Sequence, residues 1–284
     1  MSKMGSGNVR SGVPVSCACV VAGDRGRHVL LRAARRIIPA PIRHWLWAKR
    51  HGIEYALPVI WVRFCTLRRV TPVSRDYGYD RGLPVDRHYI ERFLSAHQMD
   101  ICGRVLEIGE NTYTCRFGGD RVRTSDVLHV RSGQPNTTIV ADLTVGDNVS
   151  TDTFDCIILT QTLQFIFDVR AALQTLYRIL KPGGVLLATF PGLSPISRYD
   201  MEQWGHFWAF TSLSAQRLFE EVFPQDHVQI TPYGNVLTAT AFLYGIATQE
   251  LRKKELEYFD RDYEMLIGVR AMKPLTSHVT SDLQ

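Results

Sequence analysis

From residue 84 onward, the apolar positions of the chain switch between two periods. Residues 84–97 (Pro84-Val-Asp86-Arg-His-Tyr89-Ile90-Glu-Arg-Phe93-Leu94-Ser-Ala-His97) set Tyr89, Ile90, Phe93, Leu94 and His97 on one helical face. The leading proline suits a helix start. Four short apolar runs of strand length follow, at 104–108, 121–125, 138–141 and 156–159. Residues 168–180 return to the helical period, with Val169, Leu173, Leu176, Tyr177 and Leu180 on one stripe. Lys181-Pro182-Gly183-Gly184 ends that pattern, and 185–190 is the next strand. A helix capped by Thr211 or Ser212, a strand at 228–230, a helix over 235–251 and a last strand at 265–269 complete the series. Strands and helices alternating at these lengths predict an α/β fold with a parallel sheet covered on both faces.

The first quarter reads differently. Residues 1–26 are rich in Gly, Ser and Val without a period, and 27–69 alternate Arg and Lys with Leu, Ile, Trp and Val. Pro39, Pro41 and Pro58 limit that stretch to short helices. Trp45, Trp47 and Trp61 among the basic residues suit an amphipathic surface helix, or one that packs on the main domain. Charge sharpens the division. The chain carries +5 overall, yet residues 1–70 hold thirteen Lys or Arg against two acids. Such a stretch, at 27–69 above all, suits contact with an anionic membrane surface or a polyanion, and equally a solubilising leader. The sequence therefore divides into a basic, partly flexible or helical extension (1–70), a main domain (71–272) and a polar tail (273–284) expected to fray from Lys273.

Composition narrows the classes further. Hydrophobic residues make up 45% and charged residues 21%, as in ordinary globular proteins. The most apolar stretch, 53–67, is interrupted by Glu54, Pro58 and Arg63, so no transmembrane span is expected. With no signal-peptide layout either, a cytoplasmic location is expected. The six cysteines make no C-x-x-C pair, Cys17-x-Cys19 is too tight for the usual zinc spacing, and the nine histidines form no ligand pattern. No metal site is expected.

Candidate chemistry falls at strand ends. Val105-Leu106-Glu107-Ile108-Gly109 is a buried strand closing on an acid, an apolar residue and a glycine. In an open α/β sheet, ligands bind at the carboxyl ends of the strands. A glycine there lets backbone approach the ligand. An acid would repel a pyrophosphate but attract a ligand bearing an amino group and a sulfonium. Asp126 follows the second predicted strand, where an acid can take both hydroxyls of a ribose. Asp142, beside Leu143, follows the third, within reach of an adenine amino group. Both aspartates also suit helix N-caps. Gln161 and Thr162 follow the fourth strand.

With these spacings in place, residues 103–192 resemble the class I S-adenosylmethionine-dependent methyltransferases of the broad type 11 group. The matching segments are Val105–Gly109, Ala141-Asp142-Leu143, Phe154-Asp155-Cys-Ile-Ile-Leu159 and Leu180–Gly184. Ser74-Arg75, Asp80-Arg81-Gly82-Leu-Pro84-Val-Asp86-Arg87, Tyr89–Phe93 and Arg116-Phe117-Gly118-Gly119 resemble a bacterial subgroup that modifies glycans and natural products. The resemblance implies a Rossmann-like seven-stranded sheet with helices on both faces. It also implies S-adenosylmethionine as cofactor, held by Glu107, Ile108, Gly109, Asp126, Asp142, Leu143, Gln161 and Thr162. One departure stands out: the family's loop continues with alternate glycines after Gly109, whereas this chain reads Glu110-Asn111-Thr112-Tyr113.

In that fold the acceptor meets the methyl group above the fourth and fifth strands, which points to 191–210. His206, Tyr199 and Asp200 are the catalytic candidates there, with His206 the general base by its intrinsic pKa. Trp204, Phe207 and Trp208 suit an apolar wall, and Tyr77, Tyr79 and Arg81 a cover from the N-terminal side. The expected reaction is methylation of a hydroxyl on a saccharide or other small molecule. Three further readings stay open: an RNA methyltransferase gripping phosphates with the basic arm, a non-catalytic cofactor-binding scaffold, and a nicotinamide-dependent oxidoreductase. The first lacks a nucleic-acid module and the last lacks G-x-G-x-x-G.

Overall fold

The computed structural model describes residues 39–50 and 65–275, and the chain divides into two units, 1–69 and 70–284. In the first unit, α1 (Ala40–Arg50) starts at the proline pair and ends on Lys49 and Arg50. Proline is tolerated in a first turn because its missing N–H has no intrahelical partner there. Basic residues in the last turn complement the helix dipole. Of the basic stretch, 27–38 and 51–64, Trp61 included, lie outside the described residues. No described helix is long and apolar enough to cross a membrane.

The second unit is built on one seven-stranded sheet. Its strands are β1 (Gly103–Ile108), β2 (Val122–His129), β3 (Ile139–Val140), β4 (Phe154–Thr160), β5 (Leu180–Pro191), β6 (Val228–Tyr233) and β7 (Leu266–Met272). They lie in the order β3-β2-β1-β4-β5-β7-β6. All neighbours are parallel except β7, which runs antiparallel to both β5 and β6. This is the Rossmann-like sheet that the resemblance implied. The strand order reverses between β1 and β4, so the carboxyl ends of those two strands open the crevice where ligands bind.

Alternation along the strands separates two cores. Leu106, Ile157, Leu159 and Leu186 face one side, under α3 (Val169–Ile179) and α5 (Ser212–Glu220). Val105, Ile158 and Leu187 face the other, under α2 (Val85–Ala96) and α6 (Val236–Tyr244). Glu107 lies two residues beyond Val105, so its side chain enters the second core.

Several boundaries differ from the sequence reading, each for a local reason. Strand β2 runs on to His129 because Thr124–Leu128 pair with Arg104–Ile108 without a break. Helix α6 stops at Gly245, which is left-handed (φ +67), rather than at 251. The carbonyl of Tyr244 then accepts the N–H groups of Val73 and Ser74, which anchors the segment leading into α2. Two short helices went unseen, α4 (Arg198–Gln203) and α7 (Lys253–Glu257). Lys273 is not frayed: its ammonium donates to the carboxylate of Asp152 and to the carbonyls of Tyr177 and Leu180. Residues 276–284 lie outside the described residues.

Candidate active site

Two cavities meet at the carboxyl end of β1. One, of 440 Å³, lies towards α2 and contains Asp86, Glu107, Glu110, Asp200 and His206. The other, of 590 Å³, lies towards β2 and β3 and contains Leu128, His129, Asp142, Leu143, Phe167 and Trp204. Ile108, Gly109, Thr160, Gln161 and Phe165 line both. Gly109 sits at φ +90, and a Cβ built there would meet nothing within 4 Å. The backbone is thus bare at the junction, and a ligand spanning both cavities can lie against it.

Glu107 is 1% exposed and supports the loop after the strand. Its carboxylate accepts the N–H of Tyr113 at 3.2 Å, the N–H of Thr114 at 2.7 Å and the Thr114 hydroxyl at 2.7 Å. These bonds hold the start of a π-helical turn, Thr114–Gly118. Burial nonetheless pushes the Glu107 carboxyl above the ordinary glutamate value, with the Thr114 and Tyr113 bonds opposing. The side chain still borders the cavity, where its unfilled lone pairs suit a cationic group.

Asp126 requires correction. It lies in the middle of β2, opposite Leu106, not beyond the strand end. Its carboxylate accepts from Arg104 Nε at 2.7 Å and from Thr138 Oγ1 at 3.0 Å, and it lines neither cavity. The longer strand carries His129 to the rim in its place. The ring Nδ1 of His129 lies 3.0 Å from the Arg131 N–H. Arg131 in turn bonds Gln203 and stacks over Trp204, with its guanidinium carbon 4.2 Å from the ring centroid.

Asp142 stands at the rim of the apolar cavity. One oxygen, Oδ1, accepts from the Thr144 N–H and hydroxyl at 2.8 Å, leaving Oδ2 for a ligand. Leu143 is buried behind it. Thr162 lines the same cavity, and Gln161 the junction. Gln161 adopts φ +48, unusual for a residue with a side chain and characteristic of sites that hold backbone strain. Its Nε2, Oε1 of Gln164 and Nδ1 of His206 are buried and have no partner, and all three residues line the 440 Å³ cavity. Orphaned buried polar atoms are rare, and the three residues that carry these all line this one cavity.

His206 and Asp200 are brought together in that cavity. Burial depresses the His206 pKa, and the Asp200 carboxylate opposes the shift. Phe165 packs edge-on against the ring at 5.3 Å. Tyr199 does not join them: it is 73% exposed and lines an adjoining third cavity. Of the expected wall, Trp204 and Phe207 line the apolar cavity, whereas Trp208 stacks on Phe167 outside it and donates to the Ile166 carbonyl. Of the expected cover, Tyr77 and Tyr79 line the first cavity, but Arg81 pairs with Glu250. Among the described residues no cluster suits a metal ion.

The sequence reading missed Asp86 and Arg87 as cavity residues. Asp86 is almost wholly enclosed and burial raises its pKa, while Arg87 donates to Tyr79 at 2.8 Å and reaches Tyr113 at 3.4 Å. An acid in a first helical turn looks like a dipole partner, which hid it. Gln164 was missed too; its only signal is position, three residues beyond Gln161.

S-adenosylmethionine can be tested against this geometry. Its purine suits the apolar slot between Leu128, Leu143 and Ile166, with Asp142 Oδ2 available to an amino group. Its ammonium and sulfonium suit the cavity holding four carboxylates against one guanidinium. His129 lines the same cavity, where the sequence reading had expected Asp126. The residues fit the group.

A family model described as a methyltransferase domain matches residues 76–230. The ubiquinone/menaquinone biosynthesis C-methyltransferase UbiE of Klebsiella pneumoniae subsp. pneumoniae is 34% identical over 103 residues, covering 34% of this chain and 38% of that protein. UbiE of Haemophilus ducreyi is 32% identical over 115 residues, 39% of this chain and 40% of that one. The chain therefore spans about two fifths of the length of these curated relatives. A SAM-dependent methyltransferase from Archaeoglobus fulgidus is 14% identical, covering 66% of this chain and 94% of its own, with a TM-score of 0.44. A sarcosine dimethylglycine methyltransferase from Galdieria sulphuraria, so named with reserve, is 15% identical over 66% and 86%, also at 0.44.

Proposed function

Because this chain belongs to the methyltransferase-domain family, whose methyl donor is S-adenosylmethionine, we propose that it methylates a hydroxyl-bearing small molecule, a saccharide or another natural product. The observation that carries this reading is the buried, unpartnered Nδ1 of His206, in the same cavity as Glu107 and Gly109. The bound donor supplies a sulfonium-activated methyl group. Glu107, Asp86 and Asp200 favour the donor's cationic end by charge, Gly109 lets it lie against the backbone, and Asp142 holds its purine amino group. Gln161 and Gln164 offer the remaining donors and acceptors of the cavity floor. His206, whose pKa burial lowers, takes the acceptor hydroxyl's proton on its imidazole and so raises the nucleophilicity of the oxygen. Phe165 and Pro191 exclude water from that point.

The UbiE relatives are named C-methyltransferases, and this favours a second reading of the same site. His206 would then deprotonate a hydroxyl conjugated to the accepting carbon. Incubating the protein with methyl-labelled donor and hydroxyl-bearing acceptors, followed by NMR of the product, separates oxygen from carbon methylation. Calorimetry with S-adenosylhomocysteine tests the premise beneath both. Binding is expected in the wild type and a loss of at least roughly a hundredfold in Glu107→Ala, which strips two backbone N–H groups of their acceptor at about 1–3 kcal/mol each. An unchanged affinity in the variant would sink the reading.

A further inference from the structure

The third cavity, of 410 Å³, adjoins the first and shares Tyr77, Pro195, Ser197 and Phe242 with it. Tyr77 forms much of the partition. It sits at φ +54 and packs 6.1 Å from Phe242. On the far side of this wall, Arg75 and Arg198 line the cavity, together with Ile196, Tyr199 and Leu243. Arg75 has no hydrogen-bond or ion-pair partner among the described residues, and Arg198 makes only a 3.3 Å contact to the Met201 sulfur. Asp76 is the one acid lining the cavity.

The charge of the two adjoining chambers is therefore opposite. The first sets Asp86, Glu107, Glu110 and Asp200 against Arg87, and the third sets two guanidiniums against Asp76. An anion is repelled from the first and attracted to the third. Guanidiniums present planar pairs of N–H donors that match the oxygens of a phosphate or carboxylate. Ile196, Tyr199 and Leu243 are 53%, 73% and 47% exposed, so an apolar body has surface to cover beside those donors.

Resting on the methyl-transfer reading above, we propose that the third cavity is the acceptor's distal subsite. It takes an oxyanion, phosphate or carboxylate, carried on an apolar or aromatic body. Arg75 and Arg198 hold the oxyanion, Tyr199 and Leu243 flank the body, and the group to be methylated passes the Tyr77 wall to reach His206. The specificity of the enzyme is thus for an anionic acceptor. Tyr199 serves this subsite and takes no part in proton transfer.

The test uses the full chain saturated with S-adenosylhomocysteine, titrated with phenyl phosphate, benzoate and benzyl alcohol. Phenyl phosphate or benzoate should bind the wild type and lose at least tenfold in affinity in the double variant Arg75→Gln/Arg198→Gln. Benzyl alcohol should bind both proteins alike. Whichever oxyanion binds the wild type more tightly identifies the source, phosphate or carboxylate. The double variant Arg75→Lys/Arg198→Lys, which keeps the charge but loses the planar donor pairs, should bind the oxyanion more weakly than the wild type and more tightly than the Gln variant. Oxyanion affinity equal in wild type and Gln variant, or absent from the wild type, overturns the subsite. Failure of the wild type to bind S-adenosylhomocysteine would instead overturn the methyl-transfer reading, and the oxyanion titration of the donor-free protein would still stand as the measure of the third cavity.

Discussion

The two cavities that meet at Gly109 are made of opposite materials. Towards α2 the walls are carboxylates, an arginine, two glutamines and a histidine. Towards β3 they are Leu128, Val130, Ala141, Leu143, Ile166 and Phe167, with Asp142 alone at the rim supplying a carboxylate. On the proposed reading, one side recognises charge and takes a proton, and the other recognises shape. A single ligand with a cationic end and a flat aromatic end is selected by the pair, though neither cavity alone would distinguish it from simpler molecules.

The sharpest way to break this comparison is to close the junction. Gly109→Val places a β-branched side chain at positive φ, strained by about 1–2 kcal/mol, at the bare backbone where the two cavities meet. S-adenosylhomocysteine binding should fall by at least several hundredfold, measured by calorimetry. On the charged side, His206→Ala should lower kcat by about a hundredfold, the usual scale of a general base, while donor affinity is kept. The wild-type kcat/KM should rise with pH and level off below about 6.5, because burial depresses the imidazole pKa and the neutral ring is the active form. That limb should vanish in the variant. On the shape side, Asp142→Ala removes a single hydrogen bond worth about 1–1.5 kcal/mol, so donor affinity should drop about tenfold with kcat retained. The smallest effect belongs to Asp126→Asn. Stability should fall by about 1 kcal/mol as the Arg104 pair weakens, with donor affinity changed less than about twofold. A large affinity loss there would return Asp126 to the ribose.

How far the sequence could be read differs between the two sides. Apolar periodicity identified β1, β4, β5 and α3, because buried strands and amphipathic helices repeat their chemistry at fixed intervals. It also placed Asp142 and Gln161 correctly at strand ends. Asp126 was misread because Thr124 and Ser125 look like a strand terminus, while the pairing with β1 carries β2 four residues further. Tertiary pairing overrode local composition. Gly245 ended α6 early because Ser74 packs where a Cβ would stand, 2.4 Å from its carbonyl oxygen. Nothing near 245 in sequence announces a segment from 74. Asp86, Gln164 and the Arg75–Arg198 pair are brought to their cavities by contacts between distant segments, which no local pattern encodes.

Arg131 lines the apolar cavity beside Trp204. It bridges from the end of β2 to Gln203 by two hydrogen bonds of 3.1 Å and lies across the Trp204 ring. In time rather than in space, this bridge is a latch on the apolar cavity. Anything seated beneath Trp204 leaves only after two bonds and a cation–π contact worth about 0.5–2 kcal/mol have opened together. On the proposed reading the spent donor lies beneath that ring, so Arg131→Ala is expected to shorten its residence and to speed turnover wherever release is the slow step.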